Sequence, residues 1–231
     1  NVNFLNPDAE LSFAEDNLTI YGNLVAGADG YGIVDTTAKS ATITGTIGAE
    51  GLAIQKIDIG ADKTVTANSD VYAGQNIFGG ANASFVAGNA TSIYADAVTL
   101  VDNTGDIVTN SNLNFEGKIG TSIAALNQIK IADSSTFTAN QDVYTTSVYF
   151  GDTDSTLVLA GADNITSIVD VIDPDHANSQ GILQFTASGT NTVKATFGTE
   201  DNSFAQLDAL SESGTLVFDS ESGTQYFTAV K

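Results

Sequence analysis

The sequence predicts an all-β fold, a right-handed parallel β-helix (solenoid) of about 9–10 coils built from roughly 72-residue repeats and filling one domain over residues 1–231. Three observations carry that expectation. A segment returns without a gap about 72 residues later: Ile47-Gly48 as Ile119-Gly120, Ile57-Asp58-Ile59 as Ile129-Lys130-Ile131, and Thr66-Ala67-Asn68-Ser69-Asp70-Val71-Tyr72 as Thr138-Ala139-Asn140-Gln141-Asp142-Val143-Tyr144. Apolar and polar residues alternate with period two over short runs, the pattern of strands and not of helices. Between the runs fall Gly, Asn, Asp and Ser, which tolerate tight-turn geometry.

A weak first unit, residues 1–44, carries Phe4, Leu11-Ser12-Phe13 and Asn17-Leu18-Thr19, matching Phe150, Leu157-Val158-Leu159 and Asn164-Ile165-Thr166. The unit 45–116 has strand-like runs at Ile57-Asp58-Ile59, Thr64-Val65-Thr66, Ile77-Phe78, Phe85-Val86-Ala87, Val98–Val101 and Leu113-Asn114-Phe115, with turns such as Gly60-Ala61-Asp62 and Asn103-Thr104-Gly105. The unit 117–188 repeats it, through Phe150-Gly151 against Phe78-Gly79, Val158 against Val86 and Ile165 against Ile93. A divergent last unit, residues 189–231, keeps Phe197-Gly198 and Leu207 where the earlier copy has Ile119-Gly120 and Ile129. Composition also allows a short helix around Ser203 to Leu210, where the other copies read as strand.

Immunoglobulin-like sandwiches need about 100 residues each and a core Trp, which the chain lacks. A left-handed hexapeptide helix needs an aliphatic residue every six positions, which is absent. Three coils of about 24 residues account for a repeat of about 72. That arithmetic places equivalent residues, such as Val65 and Phe137 or Asp70 and Asp142, on one wall three coils apart. Ile57, Ile59 and Phe78, with Ile129, Ile131 and Phe150, are expected to point inward.

Acidic residues outnumber basic ones 28 to 7, for a net charge of −21, and every basic residue is Lys. Nucleic acid is therefore excluded as a partner, because phosphate recognition needs clustered Lys and Arg. Absence of Cys removes disulfides and thiolate metal sites, and suits passage through a narrow secretion pore. No apolar run approaches the ~20 residues of a spanning helix, so no direct membrane insertion is expected. With neither a signal peptide nor an initiating Met, the chain reads as a processed product or an excised fragment.

The order of signals is a Gly-x-Ile-Gly-Thr-like turn, an apolar strand, Thr-x-x-Ala-Asn-x-Asp-Val-Tyr, then Phe-Gly and Leu157-x-Leu159-Ala160 with Asn164-Ile165-Thr166. Gly181-Ile182-Leu183-Gln184-Phe185 and the stretch from Thr192 to Gly198 follow. This order resembles the passenger repeats of rickettsial surface cell antigens of the outer-membrane protein A and B type, which are autotransporters. The resemblance covers essentially the whole chain. It implies an exported bacterial protein, extracellular at the cell surface, whose β-helical passenger serves in adhesion or as a surface coat. Its partner is then a host-cell or matrix protein, or the chain itself. The alternative is a self-assembling structural subunit of an extracellular filament or surface layer.

No catalytic, cofactor-binding or metal-ligating residue is assigned. His176, between Asp173-Pro174-Asp175 and Ala177, reads as a solvated loop residue. Asp152 and Asp154, and Asp173 and Asp175, have a spacing usable for calcium but lack the glycine and bidentate Glu of an EF-hand loop. They read as acidic turns. Asn17, Asn82, Asn89 and Asn164 match glycosylation sequons in a chain where chance matches are expected. Polysaccharide-cleaving β-helices resemble one another in using Arg or Lys beside clustered Asp, and this chain has no Arg and no adjacent Asp pair, so it is expected not to be an enzyme. Tyr21, Tyr31, Tyr94 and Tyr226 are candidates for a contact surface.

Overall fold

A computed structural model describes residues 1–161, 164–165, 168–170, 180–186, 189–193, 196–209, 214–218 and 224–231. The chain is all-β, with parallel strands stacked in a solenoid of about 9 turns at a spacing of ~22 residues.

Among the described residues the solenoid has three walls, and corners between them carry left-handed residues such as Asn17, Asp62, Asn82 and Asn103, which end the short alternating runs. The first wall begins with Val2–Phe4 paired to Leu24–Ala26, continues through the bridges from Leu24 to Ile47 and Ile47 to Val71, and climbs through Leu113–Phe115, Thr136–Ala139 and Thr156–Leu159. The second contains Glu10–Ser12, Ile33–Thr36 and Ile54–Ile59, then Ala97, Ile119 and Val143. The third runs from Leu18–Ile20 through Ala41–Ile43, Thr64–Ala67, Ser84–Ala87, Asp106–Thr109, Leu126–Ile131 and Thr145–Phe150 to Ile168–Asp170.

Two long strands, Val71–Phe78 and Ser92–Thr99, turn the corner between the first and second walls. Tyr72 pairs with Tyr94 on the first wall, whereas Lys56 to Ile59 pair with Gln75 to Phe78 on the second. Between these halves Gly74 and Gln75 are exposed, which marks the bend. Because these strands belong to both walls, hydrogen bonding links eleven strands into one continuous order that starts on the second wall and finishes on the first.

The repeat does not stack on itself. Val65 pairs with Ala41 and Phe85 on the third wall, but Phe137 pairs with Leu113 and Leu157 on the first. Ile57 lies on the second wall and Ile129 on the third, while Val71 lies on the first and Val143 on the second. The expected common wall for Val65 and Phe137, or Asp70 and Asp142, is therefore overturned. The coil is nearer 22 residues than 24, so a repeat of about 72 winds roughly three and a third turns and delivers each copy one wall further round.

The inward residues are as the alternation predicts. Ile57, Phe78, Ile129 and Phe150 are 0 % exposed, and Ile59 and Ile131 are 1 % exposed. On the third wall Val65, Phe85, Ile107 and Ile129 form one aligned apolar ladder. Like side chains stacked about 4.8 Å apart fill a narrow core with little void.

The Ile-Gly motif also has a physical reason. Gly48, Gly120 and Gly198 have φ of 66°, 65° and 72°, and a Cβ on them would come within 2.3, 2.4 and 2.9 Å of the carbonyl oxygens of Tyr72, Tyr144 and Tyr226. Only glycine fits both the backbone conformation and the contact. In each copy the tyrosine N–H donates back to the residue before the glycine: Ile47, Ile119 and Phe197. The faint last copy is thus a structural repeat. Its helical alternative at Ser203 to Leu210 is corrected to the strand Phe204–Ala209, held by pairing with Gln180–Phe185 on one side and Phe227–Val230 on the other.

Candidate functional site

The acidic residues have a structural use at the corners. Asp16 Oδ1 accepts the N–H of Ser40 (2.7 Å), Asp29 Oδ1 that of Ala53 (3.0 Å), Asp96 Oδ1 that of Lys118 (2.9 Å), and Asp102 Oδ1 that of Ala125 (2.8 Å). Each bond joins one coil to the next, at a corner where the chain leaves one wall and has no strand partner for that N–H. Asp70 Oδ1 takes three donors from the following coil: the N–H of Thr91, its hydroxyl and the N–H of Ser92. These carboxylates do for corners what ladder hydrogen bonds do for walls. The Ser40 N–H holds the Asp16 carboxyl below its ordinary value against an opposing effect of burial, with Lys63 and Lys39 assisting.

Asp152 belongs to this system. Its Oδ1 accepts the N–H of Ser134 (2.9 Å), the Ser155 hydroxyl (2.7 Å) and the N–H of Asp154 (3.1 Å), and its Oδ2 accepts the Ser134 hydroxyl (2.8 Å). The Ser134 N–H, followed by these hydroxyls, overcomes burial and lowers its pKa to about 2. Asp152 is therefore a turn-closing carboxylate filled by donors, and Asp154 is exposed. Among the described residues no group of three or more His, Asp or Glu gathers to hold a metal. His176, Asp173 and Asp175 lie outside the described residues, as does the side chain of Asn164. Asn17, Asn82 and Asn89 are exposed, and Asn82 Nδ2 donates to Asp62 Oδ1 at 2.8 Å.

Of the four tyrosines singled out, Tyr21 is 86 % and Tyr94 40 % exposed, whereas Tyr31 and Tyr226 are half-buried. Tyr94 does not stand alone. Its ring stacks on that of Tyr72 from the coil below, with centroids 4.6 Å apart and planes 6° from parallel. The strand pairing of Tyr72 with Tyr94 sets this geometry, since parallel neighbours in register present side chains at the strand spacing. Burial pushes the Tyr72 phenol above its ordinary value, and Tyr94, Asp70 and Glu50 push the same way. Sequence reasoning missed Tyr72 as part of the platform, although a separation of one coil between two tyrosines was the available signal.

Two clefts flank the platform at the corner between the first and second walls. One, about 360 Å³, lies between the Tyr72–Tyr94 pair and the short hairpin in which Ala49 and Leu52 exchange backbone hydrogen bonds; Glu50 and Gly51 line it. The other, about 260 Å³, lies beyond Tyr94 and is lined by Gly74, Asp96, Glu116 and Gly117. The Tyr94 ring is common to both. The arrangement places the stacked tyrosine pair between a cleft lined by Glu50 and one lined by Asp96 and Glu116, on the lateral surface of the rod.

No protein-family model, curated protein or solved structure matches the chain. No helix of the described residues is long and apolar enough to cross a membrane.

Proposed function

We propose that this chain is a non-enzymatic binding rod, a passenger segment of an autotransporter-like protein that acts at the cell surface in adhesion or as a coat. The observation that supports the reading best is the Tyr72–Tyr94 platform, half exposed on the side of the solenoid and bordered by two open clefts. Its partner is a host-cell or matrix protein, met over several coils, because a rod offers a long lateral surface. The repeat order resembles surface antigens of that kind. Several carboxylates have a structural use at the corners, so part of the acidity of the chain serves the fold.

The experiment is to apply the purified chain to cultured cells and to immobilised matrix proteins, measuring bound chain and mass by light scattering. Saturable binding by a monomer supports the reading. Concentration-dependent polymerisation without cell binding favours the filament alternative.

A further inference from the structure

We propose that the groove divided by the Tyr94 ring holds a cationic side chain of a protein partner, an arginine or lysine presented by an extended basic segment. This rests on the reading of the chain as a lateral binder and names the chemistry of what it binds.

One face of the Tyr94 ring is covered by Tyr72, the residue is 40 % exposed, and it lines both clefts at the corner, so a cation there would meet the opposite face. A guanidinium or ammonium group is attracted to such a face, and a guanidinium also stacks on it flat. Glu50 lines the cleft on one side of the ring, and Asp96 and Glu116 line the cleft on the other. No lysine lines either cleft; Lys118, next to Gly117, gives its backbone N–H to Asp96. A cation in the groove therefore meets an aromatic plane and carboxylates within one short reach. The net charge of −21 steers basic partners towards the rod in general. A neutral glycan also stacks on tyrosine, but the acidic rim gives it nothing further, and an acidic glycan is repelled.

The platform is not a requirement of the fold. Tyr144 is the repeat counterpart of Tyr72, but the counterpart of Tyr94 is Thr166. The second copy of the repeat thus lacks the second tyrosine in its sequence, so the pair is a local addition to the repeat.

The test is calorimetric titration of the full chain with a short arginine-rich peptide, a lysine-rich peptide of equal charge and a neutral oligosaccharide. Tyr94→Ala leaves the net charge unchanged, so a diffuse attraction of polycation to polyanion survives it while the groove does not. The expected result is a loss of about fivefold or more in affinity for the arginine peptide in Tyr94→Ala, near-normal binding in Tyr94→Phe, and no change in Tyr21→Ala. Glu50→Gln weakens binding about twofold and flattens its salt dependence. Amide NMR shifts in the unsubstituted chain must fall on residues 49–53, 72–74, 94–96 and 116–117, a readout that does not depend on how any variant folds. Equal binding by Tyr94→Ala and the parent chain, or shifts spread evenly over the rod, overturns the proposal. Binding of the neutral oligosaccharide that depends on Tyr94 replaces it with a sugar site. If the chain binds matrix protein yet ignores both peptides, the groove proposal fails while the binding-rod reading stands.

Discussion

Asn76 and Val148 hold the same position in successive copies of the repeat, and both face the core, but on different walls of the solenoid. Asn76 is aligned with Ile57 in the coil below and Ala97 in the coil above, and is 1 % exposed. Neither its Oδ1 nor its Nδ2 has a hydrogen-bond partner among the described residues. A buried amide left unpaired costs the desolvation of its polar atoms, whereas valine at the equivalent site loses nothing.

Asn76→Val is therefore expected to stabilise the chain by about 1–3 kcal/mol. Urea denaturation followed by circular dichroism measures this. A destabilised variant would show that the amide has a role in the core that its neighbours do not reveal.

Ile129→Asp places a charge in the fully buried ladder of Phe85, Ile107 and Ile129, and is expected to cost several kcal/mol, about 3–5, or to prevent folding. Asp133 is exposed in the turn that follows, and Asp133→Ala is expected to fall within about 0.5 kcal/mol of the parent chain. Comparable losses for the two changes would mean that the inward face is wrongly identified.

The corner carboxylates predict an acid limit to stability. Asp152 titrates at about 2 and Asp16 below its ordinary value in the folded chain. A folded pKa below the unfolded one contributes stability that is complete above the unfolded value, about 3.9 for Asp, and disappears as pH falls through the folded value. Melting temperature should therefore hold steady from neutral pH to about pH 5 and fall between about pH 4 and pH 2. Asp152→Asn should lower stability at neutral pH and shallow that fall, since an amide cannot accept the same set of donors as a charged carboxylate. A melting curve of the parent chain unchanged down to pH 2 would contradict the stapling role.

Much of this was legible in the sequence, and the reasons differ from element to element. Period-two alternation at Ile57-Asp58-Ile59 and Ile129-Lys130-Ile131 showed which side chains enter the core, because a strand between coils allows no other phase. The wall each residue occupies was not legible. A gapless offset records the length of a repeat but not how many coils that length winds, and a difference of two residues per coil turned a vertical stack into a rotation by one wall. The site was half legible: Tyr94 stood out as an exposed aromatic, but its partner Tyr72 depended on coil length. The corner carboxylates escaped for the same reason, since Asp102 and the Ala125 N–H become neighbours only once the turn between them is counted. The strand Phe204–Ala209 was ambiguous because its local composition suits a helix as well, and pairing on both sides decides it.

Electrostatics outside the corners lead to a further expectation. Among the described residues Lys56 pairs with Asp58 and Lys130 with Asp106, both at 2.7 Å, and Lys63 approaches Asp16 at 3.7 Å, so most of the negative charge has no cation beside it. Added sodium chloride should raise the melting temperature by a few degrees through screening, and chelator should leave it unchanged. A large rise with calcium would redirect attention to the acidic turns at Asp152 and Asp154.

The central claim, a rod that binds with its side and performs no chemistry, is tested most directly by surface plasmon resonance on immobilised matrix proteins, run beside an assay for cleavage of polysaccharide by the same preparation. The account predicts saturable binding that Tyr94→Ala weakens without abolishing, and no release of new sugar ends at any pH between 4 and 9. Release of sugar ends, or absence of binding to every protein surface tried, would contradict it.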